Sequence, residues 1–207
     1  MTAPEYLLKF VPKYEHAESL VNGILFTRPA GYYIALEQGQ GDWQESTIVS
    51  GMMCYKNYNM PIYCMVGVQQ EEISGGVYKI DNRIVRDFHC ECGYVVIMRY
   101  SDFNARLPIF EDGKRGYCGY VEYRTIEHDE TPQLLIDSTG INLGIKNPEL
   151  YYQHEYRVVF PEHLFSPIGS MITEKRYHMT CSLQGLAQIV SISVLRDDTQ
   201  YRYLELR

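Results

Sequence analysis

The residues best placed to do chemistry are an amide and a carboxylate two positions apart, Gln153 and Glu155, in the stretch KNPELYYQHEYRVVF (residues 146–160). Read with a period of two, both lie on one face of a predicted half-buried strand that follows a proline-marked turn. A carboxylate at the mouth of an apolar run can stabilise positive charge that develops in a transition state. The alternative is that Glu155 and Arg157 form the solvated face of an edge strand.

The strands and helices that must position this pair are short. Several brief strands alternate with helices that lie mainly in the N-terminal half, which predicts an α+β fold in a single domain, residues 1–207. The predicted helices are Lys13 to Asn22, Ala30 to Glu37, Asp81 to Phe88 with Asp81 as N-cap, and a short one after Ser101. The predicted strands are Tyr6 to Val11, Ile24 to Thr27, Thr47 to Tyr55, Pro61 to Val68, Gly93 to Tyr100, Tyr117 to Arg124, Arg176 to Ser182, Leu186 to Leu195 and Tyr201 to Leu206.

The charge balance restricts the partners that the chain can have. Nineteen Lys and Arg against 26 Asp and Glu give a formal charge of −7, so nucleic acid is unlikely over the general surface and would need a local patch. The arginines that could form such a patch are Arg83, Arg86, Arg99 and Arg106. No apolar run is long enough to span a bilayer and the N-terminus does not look like a leader, so we expect no membrane and a cytoplasmic location.

The six cysteines are expected to be reduced, because most of them sit inside apolar, strand-like runs. His89, Cys90 and Cys92 have the side chains of zinc ligands. A tetrahedral site needs a second pair of ligands, and the sequence offers none at a suitable spacing. We therefore predict no metal site.

Two stretches resemble a known superfamily. YLLKFVPKYEHAESLVNGILFTRP (residues 6–29) and the later QHEYRVV resemble an uncharacterised bacterial domain family and, more distantly, bacterial toxins that ADP-ribosylate thymidine in DNA. Gln153-His154-Glu155 resembles the Gln/Glu-x-Glu motif of the ADP-ribosyltransferase superfamily. This resemblance implies a split, mostly antiparallel β core across which NAD binds as a substrate.

The resemblance also implies roles for particular residues. Glu155 would hydrogen-bond the nicotinamide ribose and stabilise the oxocarbenium-like transition state, and Gln153 would orient the acceptor. Lys9 stands where the superfamily has His or Arg, a departure because lysine lacks the planar fork of arginine. The residues that would bind NAD are Lys9 and Arg28 at the pyrophosphate and Tyr32 or Tyr33 at the nicotinamide.

Two functions follow as hypotheses. The first is transfer of ADP-ribose from NAD to a macromolecular acceptor, in a toxin, a phage-defence protein or a counter-defence protein. The second is a non-catalytic inhibitor or adaptor that binds a partner protein through an acidic surface rich in tyrosine, of which the chain has 19. Tyrosine suits interfaces because it offers a large contact area at a low cost in rotamer entropy.

Overall fold

The structure is a computed structural model. It describes residues 2–29, 47–50, 53–56, 61–108, 117–123, 145–160 and 175–206. Within these ranges the fold is α+β with a mostly antiparallel β core, which confirms the predicted fold class. The helices that the structure describes lie within the first 106 residues, apart from short 3-10 turns.

In the part of the chain that the structure describes, the elements have the following bounds. The strands are β1 (Tyr6–Val11), β2 (Ile24–Pro29), β3 (Thr47–Ser50), β4 (Met53–Lys56), β5 (Pro61–Val68), β6 (Val77–Asp81), β7 (Tyr94–Arg99), β8 (Tyr117–Tyr120), β9 (Glu122–Tyr123), β10 (Ile145–Lys146), β11 (Glu155–Val159), β12 (Lys175–His178), β13 (Ala187–Ser191), β14 (Arg196–Asp197) and β15 (Tyr201–Glu205). The helices are α1 (Tyr14–Val21), α2 (Asn82–Asp87) and α3 (Tyr100–Arg106). The 3-10 turns are Gln70–Glu72, Pro148–Gln153 and Ile192–Val194.

The main sheet has eight strands, and β5 is its branch point. Six strands run in the order β12-β2-β5-β1-β7-β13, while β11 pairs with the other edge of β5 and carries β8. One edge of β5 is shared: β1 pairs with Val66 to Val68 near its end, and β2 pairs with Pro61 and Ile62 at its start. All pairs in this sheet are antiparallel. The core is therefore split at β5.

Both faces of the main sheet are covered, so its central strands are apolar on both sides. In β1, Leu7 and Val11 pack into a core on the face covered by α1 and α3. Leu8 and Phe10, pointing the other way, pack into a second core under α2 and a smaller sheet of order β14-β15-β6. This alternation along one strand separates the two cores.

Several predicted elements are confirmed with small changes at their ends. Asp81 caps α2 as predicted, since its side chain accepts a hydrogen bond from the backbone N–H of Arg83 at 2.8 Å. The predicted strand from Thr47 to Tyr55 is instead the hairpin of β3 and β4. The predicted strand from Leu186 to Leu195 ends at Ser191 in a 3-10 turn. Long apolar runs hide such breaks, because nothing in their periodicity marks the reversal.

Candidate functional site

The strand β11 begins at Glu155 rather than at Gln153, which corrects the predicted alternation. The side chain of Asn147 caps the 3-10 turn Pro148–Gln153 by accepting a backbone N–H from its first turn at 3.0 Å. His154 then ends the turn in the left-handed conformation, with φ of 42°. Gln153 and Glu155 therefore lie on opposite sides of a change in backbone direction and do not share one strand face.

The prediction that β11 is half-buried, or an edge strand with a solvated face, is also wrong. The strand lies between β5 and β8, and all five of its residues are buried. Glu155 is 3% exposed and Arg157 is 1% exposed. A strand inside a sheet that is covered on both faces has no solvent-exposed face, whatever the polarity of its residues.

Gln153 and Glu155 nevertheless meet, at the ammonium group of Lys146. The Nζ atom of Lys146 lies 2.8 Å from Oε2 of Glu155 and 3.2 Å from Oε1 of Gln153. The guanidinium of Arg157 donates to Oε1 of Glu155 from Nη2 at 2.6 Å and from Nε at 2.9 Å. We call Lys146, Gln153, Glu155 and Arg157 the Glu155 cluster. All four side chains are buried.

The cluster keeps the Glu155 carboxylate ionised and occupied. Burial alone would raise its pKa, but the charges of Arg157 and Lys146 outweigh burial and hold the pKa well below its usual range. Each carboxylate oxygen already faces a cation of the chain itself. A carboxylate in this state has little capacity left to stabilise positive charge on a ligand, because its field is neutralised at short range.

Lys9 is placed at the split of the sheet rather than beside an open cleft. Its Nζ donates to the backbone oxygen of Cys64 at 2.7 Å and lies 4.4 Å from the ring centroid of Tyr63. Cys64 lies between the part of β5 that pairs with β1 and the part that pairs with β2. Lys9 therefore donates to a backbone carbonyl that pairs with neither of these strands. Burial lowers the pKa of Lys9.

Arg28, the other described residue that was predicted to bind NAD, does not lie beside Glu155. Arg28 pairs with Ile62 on β5, whereas Glu155 pairs with Val66. At about 3.3 Å per residue the two levels are about 13 Å apart along the strand. Tyr32 and Tyr33, like the predicted helix from Ala30 to Glu37, lie outside the described residues.

No metal site or membrane helix is found in the described ranges. No three His, Cys, Asp or Glu side chains there are grouped so that they could hold a metal ion. Cys90 is buried, as predicted for most cysteines, while Cys92 and Cys181 are exposed. None of the helices in these ranges has the length and apolar character that a bilayer crossing requires.

A groove of about 680 Å³ opens between the smaller sheet and the turn Pro148–Gln153. We call it the tyrosine groove, because its lining includes Tyr78, Tyr151, Tyr152, Tyr201 and Tyr203. Glu155 is not among the lining residues. Tyr151 stands on the rim and is 61% exposed, whereas Tyr78 is buried in the floor. The high tyrosine content is visible in the sequence, but the meeting of these five side chains around one groove is not.

Strand register builds the sheet side of the groove. Tyr203 of β15 pairs with Lys79 of β6 on one side and with Arg196 of β14 on the other, which forms one cross-strand row. The guanidinium carbon of Arg196 lies 4.3 Å from the Tyr203 ring centroid, and the ammonium of Lys79 lies 6.0 Å from that of Tyr201. The Tyr203 hydroxyl donates to Asp198 at 2.6 Å. The rings are therefore held in place by charged neighbours.

Hydrogen bonds fix the opposite wall and join it to the Glu155 cluster. The Tyr152 hydroxyl donates to Asp87 Oδ2, which also accepts from Nε2 of Gln153 at 2.9 Å. Burial, followed by this bond to Asp87, raises the pKa of Tyr152 to about 12. The guanidinium of Arg83 stacks 3.8 Å from the Tyr152 ring centroid. Gln153 thus contacts Lys146 on one side and, on the other, Asp87, which accepts the hydroxyl of Tyr152.

A carboxylate and a histidine close one end of the groove. Nδ1 of His154 lies 3.0 Å from Oε1 of Glu72, and Oε2 of Glu72 accepts the backbone N–H of Gln69 at 2.6 Å. Burial alone would raise the pKa of Glu72, but these hydrogen bonds lower it. The left-handed backbone of His154, just before β11, therefore also directs a side chain into the groove wall.

Comparison with known proteins identifies no relative. A scan against protein-family models, a search of curated proteins and a search of solved structures each gave no match to this chain.

Proposed function

We propose that this chain is a non-catalytic protein-binding module and that the tyrosine groove is its contact surface. The observation that carries the proposal is the grouping of five tyrosines around one open groove of about 680 Å³, with arginines packed on two of the rings. Tyrosine and arginine are the residue types that contribute most at protein interfaces.

Two of the groove tyrosines are held in place without a partner. Tyr203 is held by Arg196 and Asp198, and Tyr152 is held by Arg83 and Asp87. Side chains that are already fixed lose little entropy on binding, so more of the contact energy appears as affinity.

The shape of the surface favours a polypeptide over a compact ligand. A second groove of about 550 Å³ lies on the other side of Arg196 and Tyr203, and Val77 lines both grooves. Val194 at the second groove is 73% exposed. Two adjoining grooves across one small sheet offer an elongated surface, which suits an extended chain segment.

Transfer of ADP-ribose from NAD stays a prediction that the geometry of Glu155 does not favour. The superfamily chemistry needs that carboxylate to reach a ribose, and here its oxygens contact Lys146 and Arg157. A direct test is incubation of the wild-type protein with NAD, with nicotinamide release followed by chromatography. The wild-type protein is the right sample, because replacement of Glu155 would also disturb the fold.

The binding function is tested by affinity purification from host cells with matched tyrosine variants. We expect Tyr151→Ala and Tyr203→Ala each to lose the same bound protein by quantitative mass spectrometry. The control is Tyr14→Ala, since Tyr14 is 49% exposed and lies on α1, which covers the opposite face of the main sheet. Nicotinamide release by the wild-type protein, or capture that neither groove variant alters, would refute the proposal.

A further inference from the structure

The row of side chains across the smaller sheet carries positive charge on a protein that is acidic as a whole. Lys79, Tyr203 and Arg196 lie side by side on β6, β15 and β14, whereas the chain has a formal charge of −7. Among the described residues, the contacts of Lys79 and Arg196 are with tyrosine rings, and neither cation is in an ion pair. A cation on a ring face keeps its charge available to a further partner.

Three acidic groups near this row are hydrogen-bonded or ion-paired, and one of them, Asp198, lies within the row. Hydrogen bonds from Tyr203, Tyr201 and Gln200, and then the charge of Lys79, lower the pKa of Asp198. Asp198 accepts the Tyr203 hydroxyl at 2.6 Å and the backbone N–H of Tyr201 at 2.7 Å. Asp81 pairs with Arg83 at 2.7 Å, and Glu72 lies 3.0 Å from His154. Glu149 lines the opposite rim, on the Pro148–Gln153 turn. The groove therefore has a basic side on the sheet and an acidic residue on the facing rim.

We infer that the tyrosine groove binds an acidic, extended segment of the partner protein, whose carboxylates pair with Lys79 and Arg196. This inference rests on the binding function proposed above and adds the chemistry of the partner. Strands lie about 4.8 Å apart, so the two cations stand on backbones about 10 Å apart. Side chains of an extended chain that point to one face are an even number of residues apart, at about 7 Å for i and i+2 and about 13 Å for i and i+4. The segment thus carries acidic residues at positions i and i+4, which the long side chains of Lys79 and Arg196 can reach, with an apolar or aromatic side chain at i+2 against Tyr203.

Matched peptides provide the probe. We would use a fluorescein-labelled, Gly/Ser-based peptide with two Glu residues four positions apart and one Leu midway between them, so that all three side chains point to one face of the extended peptide. Its controls are the same peptide with Gln, or with Lys, in place of Glu. Fluorescence anisotropy with the 207-residue chain should show the Glu peptide binding about tenfold more tightly than the Gln peptide, with an advantage that shrinks as salt rises. Equal affinities for the Glu and Gln peptides would overturn the inference.

Charge reversal locates the binding. The double variant Lys79→Glu with Arg196→Glu should abolish the preference for the Glu peptide. The control is Lys13→Glu with Arg176→Glu, which changes the net charge equally; Arg176 also stacks on a ring, that of Phe26, at 4.7 Å. The control should keep the preference. Equal loss in both double variants would show a general charge effect and would also overturn the inference.

The two proposals can fail separately. If the partner captured from cells is lost with Tyr203→Ala but kept with the Lys79 and Arg196 double variant, the groove binds the partner without recognising its acidic residues. If neither set of variants changes capture, the binding function itself fails. A single-stranded oligonucleotide that binds through Lys79 and Arg196 more tightly than the Glu peptide would assign this row to phosphate and would overturn the acidic-peptide assignment.

Discussion

The Glu155 cluster and the tyrosine groove are neighbours that use charge in opposite ways. In the cluster, Lys146 and Arg157 surround one carboxylate at 2.6 to 2.8 Å, out of contact with solvent. In the groove, Lys79 and Arg196 lie on tyrosine rings at the surface. Neutralised charge stabilises a fold, whereas charge left open can bind a partner. Residue types that suit chemistry therefore mean little until their own neighbours are known.

Glu155→Gln should have the largest effect and tests the closed side of the comparison. Loss of the carboxylate leaves Lys146 and Arg157 buried without the charge they contact, so we expect a loss of about 3–5 kcal/mol in the free energy of unfolding. Chemical denaturation measures it. The control is Glu5→Gln, since Glu5 pairs with Arg99 at the exposed surface and should contribute less than about 1 kcal/mol. Equal effects of the two changes would remove the distinction between cluster and surface.

Acid should destabilise the fold through Glu155 in the cluster and through Glu72 at the end of the groove. The folded-state pKa values of Glu155 and Glu72 are lowered, so their contribution to stability is present above the unfolded pKa of about 4.3. That contribution is lost as pH falls through the folded values. We expect the free energy of unfolding to fall with pH below about 4, and the slope to be shallower in Glu155→Gln. An unchanged slope would place the acid-sensitive groups elsewhere.

Asp87→Asn tests the connection between the two regions. The change removes the charge that accepts from the Tyr152 hydroxyl and from Gln153, and we expect a loss of about 1.5–3 kcal/mol, the usual contribution of hydrogen bonds to charged groups. Tyr152, whose pKa is raised to about 12, should then titrate at lower pH. NMR with labelled tyrosine follows that resonance, and Tyr152→Phe identifies it. A Tyr152 titration unchanged by Asp87→Asn would show that burial alone controls that pKa.

Tyr151→Ala should have the smallest effect on stability while still weakening partner binding. Tyr151 is 61% exposed, and exposed substitutions usually change the free energy of unfolding by less than about 0.5 kcal/mol. Thermal denaturation provides the stability measurement and the capture experiment provides the binding one. A change that destabilises the fold and leaves binding intact would reverse the contrast between the two regions.

Local patterns predicted the elements better than their surroundings. β1 and α1 were readable because period and a terminal glycine are local signals. Asn147 followed by Pro148 was interpreted as a turn before a strand, but Asn as N-cap with Pro at the first position is also typical of a helical start. That signal could have separated Gln153 from β11.

The site itself depends on distant contacts that no local pattern encodes. Lys146 reaches Glu155 from β10, which joins β9 in a parallel pair. The groove needs Tyr151 and Tyr152 beside the β6 and β15 pair, from parts of the chain about fifty residues apart or more. Pairing partners of this kind are set by the fold as a whole. Single residues therefore indicate the right types of side chain but the wrong environment for them.

The branch at β5 has a consequence for how the chain is made. Its two edges pair with strands that are synthesised at very different times, since β1 precedes β5 while β11 begins only at Glu155. Until the ribosome has released that later strand, β5 presents an open, apolar edge of the sort that other chains can join. A nascent or truncated chain that stops before β11 should therefore depend on chaperones and aggregate without them.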